Sequence, residues 1–167
     1  MTVRIRFQRP RKLAHFVHPM DPAPRTAILA PGFQADRAIR VFPRGWDEQA
    51  ARFEPQSIAA PLEELHRLAE QNLRLEHAVI ALTYEGEGGL SSADRDLFWR
   101  AFGVPVFEQY LDRNNQLLAM ECDAHSGLHV LRGCESLALD REPCACGDRT
   151  PRISRGSRVE ELVALLA

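Results

Sequence analysis

The side chains best suited to coordination chemistry are a histidine and three cysteines in the last third of the chain. Six residues separate Cys122 from His129, and fourteen more separate His129 from the closely spaced pair Cys144 and Cys146. Thiolate and imidazole groups are soft donors that can surround one zinc ion tetrahedrally. The residue types and their spacing therefore predict a bound zinc ion.

Two short strands and a tight turn are expected to bring these donors together. Cys122 follows the apolar run Leu117 to Met120, and His129 lies within the run Gly127 to Leu131, so two neighbouring strands can each supply a ligand. Pro143 and Gly147 flank the cysteine pair and favour a sharp turn. Such a turn allows both sulfurs to face the same ion.

Other interpretations of these residues remain open. His125 offers a Cys-x-x-His alternative and Cys134 is a further donor, so the ligand set is less certain than the metal. Buried free thiols, a disulfide or a redox pair are alternatives, because the spacing matches no common zinc finger. If four protein ligands hold the zinc, no coordination position is open to water, so the site is predicted to be structural rather than hydrolytic.

The same residues resemble part of the phenylacetate-CoA ligase family of adenylate-forming enzymes. The segment from Glu121 to Val130, followed by that from Pro143 to Ile153, is similar to that family in content and order. Upstream, the segments Gly86 to Arg95 and Ala101 to Tyr110 resemble its strand, helix and strand before the adenylate-binding motif. The resemblance covers roughly residues 55 to 155.

This resemblance implies two sites. Some members of the family hold a zinc with one histidine and three cysteines, and the corresponding positions are Cys122, His129, Cys144 and Cys146. The family's glycine-rich loop lies beside the adenine pocket, and ligands of open α/β sheets gather where strands end. A surviving small-molecule pocket is therefore expected at Glu87, Gly88, Gly89, Glu108, Gln109 and Tyr110.

The sequence departs from the family where the chemistry should be. The family follows its tyrosine with glycine, any residue, threonine and glutamate, whereas Tyr110 precedes Leu111-Asp112-Arg113-Asn114. No phosphate loop is found in the sequence, the chain is expected to end before the C-terminal domain that brings a catalytic lysine, and Lys12 is the only lysine. Binding of ATP and magnesium is therefore not expected, and the chain is predicted to be non-catalytic.

Composition is that of an ordinary globular protein. Of 167 residues, 45% are hydrophobic and 26% charged, and the formal net charge of −2 gives no broad basic surface. No apolar stretch approaches the roughly 20 residues that a membrane-spanning helix needs. Zinc and reduced thiols are typical of the cytoplasm, so a cytoplasmic protein without membrane contact is expected.

The hydrophobic pattern predicts an α/β fold with a partly parallel sheet and a β-rich zinc-binding lobe, resembling one subdomain of an adenylate-forming ligase. Strands are predicted at residues 26–30 and 78–83, with parallel pairing of the strands near 80 and 106. Helices are predicted over 35–41, 47–53, 58–73 and from Ser91 to Ala101.

These elements are expected to form a single domain spanning residues 1–167. Its parts are an N-terminal arm or edge strand over 1–25, an α/β core over 55–115, a zinc lobe over 116–153 and a C-terminal helix over 157–167. A capping box formed by Ser157 and Glu160 is expected to open that helix.

The favoured functional hypothesis is a non-catalytic, zinc-stabilised, truncated relative of phenylacetate-CoA ligase that binds a protein or a small ligand. Its partner would be an acyl carrier protein, a full-length ligase or a second copy of itself. The first alternative is an acyl- or aryl-adenylating ligase, or one component of a split enzyme. The second is a nucleic-acid-binding zinc module using the basic segment ending at Lys12 together with Arg149, Arg152, Arg155 and Arg158, which the net charge opposes.

Overall fold

Nine strands form one sheet in a computed structural model that describes residues 12–134 and 137–154. The strands are β1 Thr26–Ile28, β2 Ile39–Val41, β3 Ser57–Pro61, β4 Ala78–Tyr84, β5 Val106–Leu111, β6 Leu117–Glu121, β7 Leu128–Val130, β8 Leu139–Asp140 and β9 Arg152–Ile153. The helices are α1 Glu48–Arg52, α2 Leu62–Ala69 and α3 Ser92–Phe102. The spatial order of strands is β2-β1-β3-β4-β5-β6-β7-β9-β8. The predicted α/β fold class with a partly parallel sheet is therefore confirmed.

The first five strands pair in parallel, including β4 with β5, as the sequence predicted. Parallel strands are buried on both faces, which explains the almost continuous apolar sequence of β4. One face packs against the three helices through Leu65, Phe98 and Phe102. The opposite face is covered by the segment before β1 and the crossover after it, through Phe16 and Phe33.

Helix α3 begins and ends as its sequence indicates. Ser91 and Asp94 form a complete capping box, in which each side chain accepts a hydrogen bond from the other residue's backbone N–H. Gly103 ends the helix in the left-handed conformation. The predicted helix over 47–53 is also present, as the short helix α1.

The predicted helix over 35–41 is wrong, and the helix predicted over 58–73 is present but shorter, because each range includes a strand of the sheet. Within 35–41, Asp36 accepts hydrogen bonds from the N–H groups of Ala38 and Ile39, and this turn leads into β2. The helical pattern that began at Ile58 instead covers β3, and the helix starts only at Leu62. Apolar residues in β3 are buried because the strand pairs with a neighbour on each side. In a short segment this pattern of apolar residues resembles one face of a helix.

The last four strands are antiparallel and carry a smaller core. Its fully or nearly buried members are Tyr110, Leu118, Ala119, Leu128 and Ile153. We refer to the described residues within 116–154 as the C-terminal lobe.

Part of the predicted N-terminal arm belongs to the core. Ala14 forms an isolated bridge with Phe33, and Ala14 and Phe16 are buried. The strand predicted at Val3 to Phe7 and the helix predicted over 157–167 lie outside the described residues. Within the described part of the chain, none of the helices has the length and apolar character needed to cross a bilayer.

Candidate metal centre

The C-terminal lobe brings together the four predicted zinc ligands. The nearest ligand atoms of Cys122, His129, Cys144 and Cys146 all lie within 4.8 Å of one another. His129 and Cys144 are buried, whereas Cys146 is exposed. These four groups could hold a metal ion at the outer edge of the lobe.

Two distances between the ligand atoms match those of a tetrahedral site. Zinc bonds of about 2.3 Å to sulfur and about 2.0 Å to nitrogen place tetrahedral ligands about 3.8 Å apart for two sulfurs and about 3.5 Å for sulfur and nitrogen. The Cys122 and Cys144 sulfurs are 3.7 Å apart, and the Cys146 sulfur lies 3.5 Å from Nε2 of His129. A disulfide needs about 2.05 Å, so Cys122 and Cys144 are not bonded to each other.

Two adjacent strands position the first two ligands. Cys122 directly follows β6, and His129 lies in β7 opposite Met120 of β6, as expected from the apolar runs in the sequence. The chain reverses between them in a turn closed by a hydrogen bond from the N–H of His125 to the carbonyl of Cys122. Gly127 has a φ of 122°, and a Cβ there would lie 2.7 Å from the carbonyl oxygen of Ile153, so this position requires glycine.

The other two ligands come from a tight turn near residue 145. The N–H of Gly147 donates to the carbonyl of Cys144, and the N–H of Cys144 donates to the carbonyl of Asp148. The predicted reversal around the cysteine pair is therefore confirmed. The N–H of Asp148 also lies 3.4 Å from the sulfur of Cys146, a donor that stabilises negative charge on that atom.

A second layer of polar groups orients His129. Its Nδ1 lies 2.9 Å from the hydroxyl of Thr150 and 3.6 Å from a carboxylate oxygen of Asp148. A metal-binding histidine usually donates its other ring N–H to such groups, which fixes the tautomer. With Nδ1 engaged in this way, Nε2 faces Cys146 with its lone pair available. Backbone donation from Thr150 lowers the pKa of Asp148, so this carboxylate is charged at neutral pH.

Ser126 and Arg152 support the Cys144 side of the cluster. The Ser126 hydroxyl, 3.3 Å from the Cys144 sulfur, lowers the pKa of Cys144 to about 5, whereas burial raises the pKa of Cys122 to about 11. Arg152 is 5% exposed and donates to Ser126, Asp140 and the Glu142 carbonyl. Arg152 in β9 therefore connects the turn at Ser126 and the segment from Asp140 to Glu142 to its own strand, and these three segments surround the ligands.

The two alternative donors lie outside the cluster. His125 approaches Glu121 at 3.3 Å and stacks on Phe107, with ring centroids 4.9 Å apart. The sulfur of Cys134 lies 3.6 Å from the carbonyl of Arg132. The four residues that the structure brings together are those that the family resemblance implied, and His125 and Cys134 are not among them.

A buried carboxylate that the sequence analysis missed connects the lobe to helix α3. Glu121, 1% exposed, accepts hydrogen bonds from Arg95 and from the N–H of Glu108, both at 3.0 Å. Arg95 also donates to the carbonyl of Val106. In the sequence, Glu121 is marked only as a single charged residue at the end of an apolar strand, directly before the first cysteine. The sequence analysis also missed the residues that support the metal ligands, because each of them contacts a partner distant in the chain. These residues are Ser126, Asp148, Thr150 and Arg152.

The predicted ligand-binding residues are distributed over both faces of the sheet. Glu108 accepts from the hydroxyl of Thr83 and the N–H of Leu90, on the helix side. Gln109 donates to the carbonyl of Val17 on the other side. Tyr110 is buried in the core of the C-terminal lobe, and residues 87–89 form part of the loop before α3. The ligand-binding role of these six residues stays a prediction.

The segment after Tyr110, where the sequence departs from the ligase pattern, is a tight turn. The Asp112 carboxylate accepts hydrogen bonds from the N–H groups of Asn114 and Gln116, each at 2.8 Å. Asp112 thus satisfies backbone donors in the β5–β6 connection. Of the arginines considered for nucleic acid, Arg152 is buried and paired, while Arg155 and Arg158 lie outside the described residues.

Comparisons with known proteins give no further identification. No family model matches the sequence, and no match is found among curated proteins or among solved structures. The function has therefore to be inferred from the geometry of the chain itself.

Proposed function

We propose that this protein is a zinc-stabilised binding domain in which Cys122, His129, Cys144 and Cys146 hold one structural zinc ion. The observation that supports this proposal is the convergence of all four ligand atoms within 4.8 Å, with the Cys122–Cys144 and Cys146–His129 separations suited to tetrahedral zinc. The Thr150 hydroxyl orients the histidine, and donors beside Cys144 and Cys146 stabilise their thiolates.

The zinc would stabilise the lobe rather than perform chemistry. Three thiolates and one imidazole complete a tetrahedral coordination, so no position is left for a water or a substrate. Because ligands from β6, β7 and the turn near residue 145 would share one ion, zinc binding would add directly to the folding free energy of the lobe.

Metal analysis with matched variants tests this proposal. We expect about one zinc per chain by elemental analysis of protein purified without added chelator. Cys144→Ser should lower the zinc content and the unfolding temperature together, whereas Cys134→Ser should change neither. His129→Asn should lose zinc, and His125→Asn should retain it.

The matched pairs also define what would contradict the proposal. Equal zinc contents for the Cys144 and Cys134 variants would show that the wrong cysteine has been assigned. The structural role of zinc would be contradicted if the parent protein contained no zinc and gained none when refolded with equimolar zinc under reducing conditions.

We further propose that the domain is a non-catalytic relative of the phenylacetate-CoA ligase family. The similar segments over residues 55–155 and the parallel strands joined by helices support this relationship. Against retained activity, Asp112 is engaged in a turn, and the threonine and glutamate that would bind the nucleotide and its magnesium are missing from the motif. Binding of an acyl carrier protein, a full-length ligase or a second copy are predictions that follow from this relationship.

An assay for adenylation tests the non-catalytic role. With ATP, magnesium and a panel of aryl and fatty acids, we expect no release of pyrophosphate above that of heat-denatured protein. Steady release that scales with protein concentration and falls in the Tyr110→Phe variant would favour a divergent ligase or a component of a split enzyme.

A further inference from the structure

A cavity of about 600 Å³ lies at the carboxyl ends of the parallel strands β1 and β4. Its volume is that of a typical small-molecule site. Its walls come from the segment before β1, the segment after β1, the end of β4 and the β5–β6 turn. The lining residues are Lys12, Leu13, Pro31, Gly32, Tyr84, Arg113, Asn114, Asn115 and Gln116.

The strand order explains why a cavity forms at this edge. The chain leaves β1 to one side to form β2, and then crosses back to form β3 on the other side of β1. Connections diverge where the direction of winding reverses, and this leaves a crevice beyond the carboxyl ends of the strands. Pro31 and Gly32 follow β1 directly and form one side of this crevice.

Two sets of contacts hold the cavity walls together. The N–H of Ala14 donates to the carbonyl of Gly32, which fixes the segment carrying Lys12 beside the end of β1. Across the opening, the side-chain amide of Asn115 donates to the carbonyl of Pro31 at 3.0 Å. A Cβ on Gly32 would lie 2.4 Å from the Asn115 amide nitrogen, so glycine permits this close approach.

The polar lining is positive and rich in donors. Lys12 and Arg113 contribute two cationic groups, and no aspartate or glutamate is among the described residues that line the cavity. Within the described part of the chain, neither cation takes part in a salt bridge. Side-chain amides of Asn114 and Gln116 add neutral donors, and the Asp112 carboxylate holds their backbone in the turn.

The remaining lining suits the organic part of a ligand. Leu13 and Pro31 provide apolar surface, and the Tyr84 ring ends β4 at the cavity. Burial raises the pKa of Tyr84 to about 12, with the charge of Glu87 contributing, so its hydroxyl stays protonated and neutral at physiological pH.

We infer that this cavity binds a small organic anion, with its phosphate or carboxylate group held by Lys12 and Arg113 and its apolar part against Leu13 and Pro31. Arginine presents a planar fork of N–H donors that matches either oxyanion, and lysine adds a point charge. The inference deepens the proposed binding function by naming the ligand class, and it concerns residues separate from the metal ligands.

Titration calorimetry with three probes that share one ring tests the inference on the full chain. The probes are phenyl phosphate, benzoate and uncharged phenol. We expect at least one anion to bind with a Kd of about 1 mM or tighter, more weakly at high salt, and phenol to bind much more weakly. Whether phenyl phosphate or benzoate binds more tightly distinguishes a phosphate from a carboxylate ligand.

Variants assign the binding to the cavity. Arg113→Gln and Lys12→Gln should each weaken the preferred anion by about tenfold, because each removes a charged hydrogen-bond donor. Arg141→Gln, an exposed charge change on the C-terminal lobe, should leave the Kd unchanged. Unchanged zinc content and unfolding temperature in all three variants will show that they are folded.

Three results would overturn the inference: no binding of either anion at about 10 mM, equal binding of phenol, or equal affinity of the parent and both cavity variants. Any of these results would leave the zinc proposal unaffected, because zinc content is measured on the same samples. Loss of zinc in the parent protein with intact anion binding would instead overturn the metal proposal alone.

Discussion

The two halves of the sheet are stabilised in different ways. The parallel half is buried on both faces, with Ile58, Ile80 and Phe98 fully inaccessible to solvent. The C-terminal lobe packs around a hydrophobic cluster of five buried residues, one of which is Tyr110 of β5, and much of its structure consists of turns joined by polar contacts and the cysteine–histidine cluster. The first half is stabilised by hydrophobic burial, whereas the second relies on hydrogen bonds and, under the proposed function, on coordination of zinc.

This difference follows from the area that each half can bury. Burial of apolar surface contributes about 25 cal/mol per Å², so short two- and three-residue strands at the edge of a sheet gain little from it. Small structural units with too small a core commonly rely on a metal or disulfides. Under the proposed function, zinc bound by the four clustered residues supplies such a constraint in the C-terminal lobe.

The largest expected effect is in the parallel half. Phe98→Ala removes a fully buried ring that packs on Phe102 and His66, and should lower the free energy of unfolding by about 3–5 kcal/mol. The loss should be the same with and without a zinc chelator, as measured by urea denaturation. Leu97→Ala, at an exposed position on the same helix, is the control. A Phe98 effect that disappears on chelation would show that the halves are not stabilised independently.

A smaller effect is expected from the buried arginine of the lobe. Arg152→Met keeps the length of the side chain but removes its hydrogen bonds to Ser126 and Asp140, at a cost of about 3 kcal/mol. This value is at the low end for buried pairs because Asp140 is 36% exposed. Hydrogen exchange should show lost protection in β7 and β9 but not in β4. Equal loss across the whole sheet would contradict the division into two halves.

The smallest effect concerns the orientation of the histidine. Thr150→Val preserves the side-chain shape but removes the hydroxyl 2.9 Å from Nδ1 of His129, and should weaken zinc binding by about 10-fold to 100-fold. Competition with a chromophoric chelator measures the affinity. Thr150→Ser retains the hydroxyl and should bind zinc like the parent. If both variants bind equally, Thr150 has no role in orienting the ligand.

Local sequence rules predicted the helices and strands best where the local signals were complete. Ser91 and Asp94 form the expected capping box, and the uninterrupted apolar run of β4 became the predicted buried strand. The same rules were wrong at Ile39 and Ile58, whose strands are only three and five residues long. In such short segments a buried strand and one face of a helix have similar patterns, so pairing with β1 decided the outcome.

Residue chemistry by itself determined that the chain carries soft metal donors and that Tyr110 is not followed by the glycine, threonine and glutamate of the motif it was compared with. Only the tertiary structure decided between His129 and His125, and between Cys144 and Cys134, because side chains far apart in the chain meet through strand register. The same holds for the cavity, where Lys12 and Arg113 come together across about a hundred residues of sequence. Spacing along a chain sets which ligands are possible, whereas packing sets which atoms lie within bonding distance of one centre.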